Sequence, residues 1–276
     1  MEFTVVFLLL LHFFLFTSPT TASSSFPEEA RPTKSGYLPV DASANSSSPA
    51  AALFFAFYEA QQPLTPLPQT PLLIWLQGGP GCSSMVGNLL ELGPFVISPN
   101  SSTLLRPNPN SWNRRFGVLF IDNPIGTGFS FAPSPTIIPH NQSGVADHLI
   151  FALRHFLSSD PSFASRPLFF TGESYAGKYV PALGYYVLKQ NAELPSDRRI
   201  NLHGVAIGNG LTHPITQVTT HADGAYFSGL IDEQQKADLE VLQAAVINLT
   251  PFFLAHSHAV DSPKILISFA TKKSQS

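Results

Sequence analysis

One stretch of this chain puts a hydroxyl nucleophile where the backbone could activate it. Leu168-Phe169-Phe170 is apolar, and Thr171-Gly172-Glu173-Ser174-Tyr175-Ala176-Gly177 follows without a break. A buried strand, a sharp turn with serine at its apex, then a helix is the order of a nucleophile elbow. The turn must be tightly packed, so small residues belong on either side of the apex, and Gly172 and Ala176 stand there. A helix beginning near Tyr175 would aim its first N–H groups at Ser174 and favour negative charge beside it. That chemistry is nucleophilic attack followed by stabilisation of an oxyanion. A buried strand that simply ends in a turn with a surface serine gives the same local pattern.

Two glycine-rich segments add possible donors. Pro71-Leu72-Leu73-Ile74-Trp75-Leu76 reads as a strand buried on both faces. Gln77-Gly78-Gly79-Pro80-Gly81-Cys82-Ser83-Ser84 follows it directly. Outward N–H groups in such a loop can form an oxyanion hole or an anion nest; a plain strand-to-helix turn would look similar. No Lys-Ser/Thr pair follows, which argues against a phosphate loop. The buried run Gly117–Ile121 leads into the second segment, Asp122-Asn123-Pro124-Ile125-Gly126-Thr127-Gly128-Phe129-Ser130.

The elements that must hold these loops have the composition of one globular α/β domain. The chain has 276 residues, 44% of them hydrophobic, with 23 phenylalanines and 25 prolines gathered between the apolar runs. The net charge of −3 and the lack of a long basic run argue against a nucleic-acid partner. Strands are expected over residues 36–40, 53–58, 71–76, 117–121, 168–171 and 200–207. Helices are expected over 85–92, from Ser143 onward, after Tyr175 and over 232–245. Val145, Leu149, Ala152 and Phe156 form one helical stripe, and Asp147 and His148 fall off it and read as solvated. Residues 98–114 read as loop and His203 as an ordinary strand histidine. This alternation predicts a largely parallel sheet covered on both faces.

Val5 to Phe16 is apolar except for His12, and small residues follow to Ala22. Residues 1–22 therefore read as a secretory signal peptide, too short to span a membrane, although Glu2 replaces the usual basic residue. Sequons at Asn45, Asn100, Asn141 and Asn248 agree with export. The expected placement is the secretory pathway, either extracellular or vacuolar/lysosomal, with no membrane attachment after signal removal. Cys82 is the single cysteine, so it is either free or paired with sequence outside this chain.

Taken together, these loops resemble the serine carboxypeptidase family, an α/β-hydrolase fold. The stretches that carry the resemblance are Trp75 to Ser84, Glu91-Leu92-Gly93-Pro94, Ser111-Trp112-Asn113, Gly126 to Ser130, Gly172 to Gly177 and Ile207-Gly208-Asn209-Gly210, across about residues 36–235. The resemblance implies a mostly parallel, doubly wound sheet, incomplete at its C-terminal end, within a domain over residues 23–250 followed by a divergent tail at 251–276. It implies Ser174 as nucleophile, the N–H groups of Gly79 and Tyr175 as oxyanion hole, and Gln77, Gly78, Glu91 and Glu173 as a clamp for the free carboxylate of a peptide or protein C-terminus. It implies no cofactor and no metal. Two adjacent glutamates cannot both ionise cheaply, so one should stay protonated and donate to the substrate, giving exopeptidase specificity at acidic pH.

Alternatives within and beyond the family are an acyltransferase, whose members often carry Asp in place of Glu173, and a non-catalytic secreted protein that binds peptide C-termini. An elbow serine also needs a base and an orienting acid later in the chain. Asp197, Asp223, Asp232, Asp238 and Asp261 are candidate acids, and His203, His213, His221, His256 and His258 candidate bases. None sits in a context like the family's, and the family's partner for Cys82 is also missing. The expectation is a truncated family member with little turnover. Oligomeric state is open.

Overall fold

The computed structural model describes residues 27–42, 51–98 and 105–256, with side chains described as far as residue 249. Residues 1–22, expected as a signal peptide, and Asn45, Asn100, His258 and Asp261 lie outside the described residues. The chain divides into two compact units, Met1–Arg31 and Pro32–Ser276. In the first, a 3-10 turn at Glu28–Ala30 is described; the second holds the sheet.

Among the described residues the strands are β1 (Lys34–Pro39), β2 (Ala52–Tyr58), β3 (Leu72–Leu76), β4 (Phe95–Ile97), β5 (Leu105–Pro107), β6 (Gly117–Ile121), β7 (Leu168–Glu173) and β8 (Leu202–Gly208). Six form one sheet in the order β1-β2-β6-β3-β7-β8. β6, β3, β7 and β8 run parallel, while β1 and β2 form an antiparallel margin. β3 and β6 are buried at every position, as uninterrupted apolar runs require when both faces are covered. The stretch expected as loop at 98–114 contains β5, which pairs antiparallel with β4 just before it and was concealed by polar, proline-rich composition.

The helices are α1 (Gln142–Ser158), α2 (Pro161–Ala164), α3 (Ala176–Glu193), α4 (Pro214–Val218), α5 (His221–Phe227) and α6 (Glu233–His256). Alternate strand residues divide between two cores. Leu72, Ile74, Leu76, Leu119, Ile121, Leu168 and Phe170 meet α1 and α3 on the first face. Leu73, Trp75, Val118 and Phe120 lie on the second face with Leu92 and Met85. The helix expected near 85–92 is there, as a π-helical segment over Gly87–Leu92.

Crossover handedness explains this division. The path from β3 to β6 moves one way across the sheet; the paths β6–α1–β7 and β7–α3–β8 move the other way. Right-handed crossovers in opposite directions must cover opposite faces. The connections therefore part company between the C-terminal ends of the neighbouring strands β3 and β7. A crevice opens at such a switch point, and both the glycine loop and the serine turn emerge there.

Asn141 caps α1, its Oδ1 accepting from the Gly144 N–H at 2.8 Å. The stripe Val145, Leu149, Ala152 and Phe156 is buried, and Ala146, Ile150 and Leu153 widen it. Asp147 is exposed, but His148 departs from expectation. It is half-buried, and its Nδ1 is enclosed without a hydrogen-bond partner among the described residues. Burial lowers its pKa, against the pull of Asp41 and Asp147. The helical stripe widened by one residue, which placed His148 at the core margin.

At the opposite end of the sheet from the crevice, Arg166 is fully buried and pairs bidentately with Glu59, at 2.8 and 3.0 Å. Its Nε donates to the Thr70 carbonyl at 2.6 Å. This joins the end of β2 to the starts of β3 and β7. Glu59→Ala would leave a buried guanidinium unpaired. The expected loss is about 3 kcal/mol, the low end for such a truncation because Glu59 remains partly exposed. Urea unfolding of both chains checks this, and a change below about 1 kcal/mol would reject the pair as a structural tie.

Candidate active site

Ser174 sits at the apex between β7 and α3 with φ of 58°, in the left-handed region that few non-glycine residues adopt. Such a conformation costs about 1–3 kcal/mol and persists only when its surroundings hold it. Here the Ser174 N–H donates to the Gly208 carbonyl at 3.0 Å. The Ser174 carbonyl accepts from Gly177 N–H at 3.0 Å and from Leu211 N–H at 2.8 Å. The side chain is exposed. A methyl added at Gly172 would come within 2.6 Å of the Ala176 Cβ, so both small residues are required by the turn's own packing.

The glycine loop lies directly against this apex. A Cβ at Gly78 would fall 2.5 Å from Tyr175 N, 2.8 Å from Glu173 O and 2.8 Å from Ser174 Cβ. Gly79 has φ of 106°, where a side chain would be strained. The N–H groups of Gly79 and Tyr175 thus belong to backbone segments that meet around Ser174.

Asp122 ties the first glycine loop to the second and was not singled out from the sequence. It is fully buried. Its Oδ1 accepts from Ser83 Oγ at 2.6 Å and Ser84 N at 2.7 Å; its Oδ2 accepts from Phe129 N at 2.9 Å. Ser84 Oγ donates to the Ile121 carbonyl at 2.6 Å and accepts from Gln77 N at 3.1 Å. The signal that could have found this residue is an acidic side chain at the immediate end of a wholly apolar strand, where burial demands donors.

On the second face the residues expected as a clamp come together. The Trp75 indole N–H donates to Gln77 Oε1 at 2.9 Å, which turns the amide nitrogen toward Glu173. Gln77 Nε2 then donates to Glu173 Oε1 at 2.6 Å. Glu91, on the π-helical segment, lies near enough to Glu173 for the two carboxyl groups to interact. Glu91 is exposed as a residue, yet its carboxyl is partly withdrawn from solvent. That partial burial, with the facing Glu173, holds its pKa above the usual carboxylate range. Asn108, also missed from the sequence, anchors the segment by donating to the Glu91 and Gly93 carbonyls, both at 2.9 Å. Trp112 packs edge-on against Trp75 with centroids 5.5 Å apart.

The candidate acids and bases are scattered by contrast. Asp197 is exposed near β8's entry, Asp223 pairs with Lys236 at 2.8 Å, and Asp232 caps α6 through Gln235 N. Asp238 accepts from Gln234 on the same helix. His203 lies exposed on β8 beside the Asn201 carbonyl, and His213 caps α4 by accepting from Thr216 N. His221 is exposed at the start of α5. Among the described residues, no histidine hydrogen-bonds the Ser174 hydroxyl. Cys82 is exposed and unpaired. Asn141 and Asn248 are both exposed. No group of three metal-ligating side chains occurs, and no helix is long and apolar enough to cross a membrane, among the described residues.

Comparison with known proteins agrees with this geometry. The family described as serine carboxypeptidase matches residues 24–265. Serine carboxypeptidase-like 50 of Arabidopsis thaliana is 57% identical over 224 residues, covering 81% of this chain and 48% of that protein. The probable serine carboxypeptidase CPVL of Rattus norvegicus is 41% identical, covering 77% of this chain and 42% of its own length. The crystal structure of Kex1(delta)p, a prohormone-processing carboxypeptidase from Saccharomyces cerevisiae, superposes with a TM-score of 0.68 at 29% identity, covering 85% of this chain and 52% of that one. The chain spans about half the length of the relatives it matches. Its mostly parallel sheet with flanking helices is an α/β-hydrolase fold, and the chain belongs to the serine carboxypeptidase family.

Proposed function

We propose that this site is the nucleophile, oxyanion-hole and carboxylate-clamp part of a serine-type carboxypeptidase centre, which grips a peptide by its free C-terminus and presents the last peptide bond to Ser174. The observation that carries the reading is the contact of Gly78 with the Glu173–Tyr175 backbone beside the Gln77–Glu173–Glu91 cluster. A carboxylate arriving there would accept from a protonated Glu91 while Gln77 holds Glu173. The scissile carbonyl would then lie over Ser174, with the N–H groups of Gly79 and Tyr175 as oxyanion donors. In the full reaction Ser174 Oγ attacks the carbonyl carbon and a base takes its proton and passes it to the departing amine. Water then hydrolyses the acyl-serine ester. Glu173 favours this reading over the acyltransferase one.

The apolar segment ahead of Ala22 and the exposed sequons at Asn141 and Asn248 support placement in the secretory pathway, with a peptide or protein C-terminus as partner. No base hydrogen-bonds Ser174 among the described residues, so the 276-residue chain is expected to bind peptide C-termini with little or no turnover.

Two outcomes test this. A fluorophosphonate probe should label Ser174 at least about a hundredfold more slowly than a hydrolase with an assembled triad, since general base catalysis contributes at least that much. Fast labelling that disappears in Ser174→Ala would refute the expected inactivity. Binding should also depend on pH in one direction. Glu91 donates only when protonated, so affinity for a peptide carboxylate should fall about tenfold as pH rises through its raised pKa. Glu91→Gln, which keeps a donor at every pH, should flatten that profile; titration calorimetry showing the same slope in both chains would reject the clamp.

A further inference from the structure

A cavity of about 800 Å³ opens at the end of the sheet where β7 and β8 begin. The six-residue length of β7 sets it roughly 17 Å from the Ser174 turn. Its walls come from the last turns of α1 and α3, the end of α2, the 3-10 turn at Ser196–Arg198 and the entry to β8. Arg154, Arg198 and Arg199 all line it. We propose that this cavity binds a sugar carrying a phosphate or sulfate ester, with the guanidinium groups on the ester and the polar wall on the sugar hydroxyls.

Three observations lead to it. The first is uncompensated charge. Among the described residues, ion pairs join Lys34 to Asp160, Arg166 to Glu59, and Lys236 to Asp223 and Glu240; none reaches Arg154, Arg198 or Arg199. Asp197 is the one acidic residue in the lining among the described residues, so three positive charges surround one negative. The whole chain carries a net charge of −3, so this excess is local.

The second is that two of the three arginines are already held in place. Arg154 Nη1 donates to the Arg198 carbonyl at 2.8 Å and its Nη2 to Gln190 Oε1 at 3.4 Å. Arg199 Nε donates to the Leu194 carbonyl at 2.8 Å. These neutral acceptors orient the guanidinium groups and leave their charge unmatched. Burial lowers the pKa of Arg154, and no carboxylate opposes that shift. Arginines beside helix C-termini also offset helix dipoles. Arg198 lies outside both α1 and α3, and no hydrogen bond or ion pair holds its guanidinium among the described residues. Fork-shaped donors set at several angles match a tetrahedral oxyanion, which accepts from two or three of them at once.

The third is the size and character of the wall. The volume suits a ligand larger than an inorganic anion. Ser158, Ser165, Ser196, Asn191 and Asn201 set hydroxyl and amide groups around the arginines. Asn201 donates through Nδ2 to the Ser165 and Arg166 carbonyls, which leaves its Oδ1 to accept from a ligand hydroxyl. Leu157, Ala164, Ile200 and Leu202 complete the wall with an aliphatic surface, which suits the C–H face of a sugar ring.

Titration calorimetry on the purified chain at neutral pH and low salt tests this. The probes are the phosphate and sulfate monoesters of glucose at its primary hydroxyl; glucose and inorganic phosphate are the controls. At least one ester should bind about tenfold more tightly than inorganic phosphate, and glucose should not bind. Arg198→Gln should weaken ester binding about tenfold while the urea unfolding midpoint stays unchanged. Asp197→Asn removes the opposing negative charge and should tighten ester binding about threefold, a gain that a misfolded chain cannot give. Tighter binding of the phosphate, lost as pH falls through its second ionisation, upholds the site and names the dianion; equal binding of the two esters upholds it for either. Inorganic phosphate binding as tightly as the esters would overturn the proposal. So would affinities that neither substitution changes, or no binding by either ester. The peptide site can hold or fail without altering any of these results.

Discussion

The structure depends on the approach of two backbone turns that leave no room for a side chain between them. Gly78 lies against the peptide units of Glu173, Ser174 and Tyr175, at distances that a single methyl group would violate. That contact exists because β3 and β7 are parallel neighbours whose connections leave toward opposite faces. The crevice is therefore a product of handedness and strand order. Small residues at 78, 172 and 176 are what allow it to close.

Closing it leaves polar groups that must be satisfied away from water. Asp122 does this for the two glycine loops, gathering a hydroxyl and two N–H groups around one buried carboxylate. Charge-assisted bonds of this kind are short and directional, so they fix loop geometry more strictly than apolar contact does. The strained Ser174 is held in the same way, by carbonyl and N–H partners from β8, α3 and the segment at Leu211. Positive φ at the apex is thus sustained by hydrogen bonds from three separate elements.

Electrostatics divides the site into two halves. On one side, Gln77 donates to Glu173, and Glu91 lies nearby where water is partly excluded, so burial and the facing carboxyl hold Glu91 toward its protonated form. On the other side, Tyr175 and Tyr179 pack edge-to-face beside an open cavity lined by both aliphatic and uncharged polar side chains, with His140 at its exposed margin. Ser174 lies between Glu173 and Tyr175, whose side chains belong to these two regions.

Much of this was legible in the residues themselves. The runs at 72–76 and 117–121, the glycine loops and the Gly-Glu-Ser-Tyr-Ala-Gly turn are local patterns whose physics is local. Steric demand, backbone freedom and apolar periodicity each act over a few residues. The family resemblance then pointed to Gln77, Glu91 and Glu173, which no short-range pattern links. Only the tertiary structure brought Trp75 to orient Gln77, Asn108 to hold the Glu91 segment, Asp122 to join two loops and His148 to the core margin. Asn108 meets the Glu91 carbonyl 17 positions away, Asp122 meets Ser83 39 away and the oriented Gln77 meets Glu173 96 away, while the place of His148 depends on how far a helix turns against the sheet, and nothing in the immediate sequence encodes these. Local chemistry determined the parts; the order and handedness of the strands decided which of them would meet.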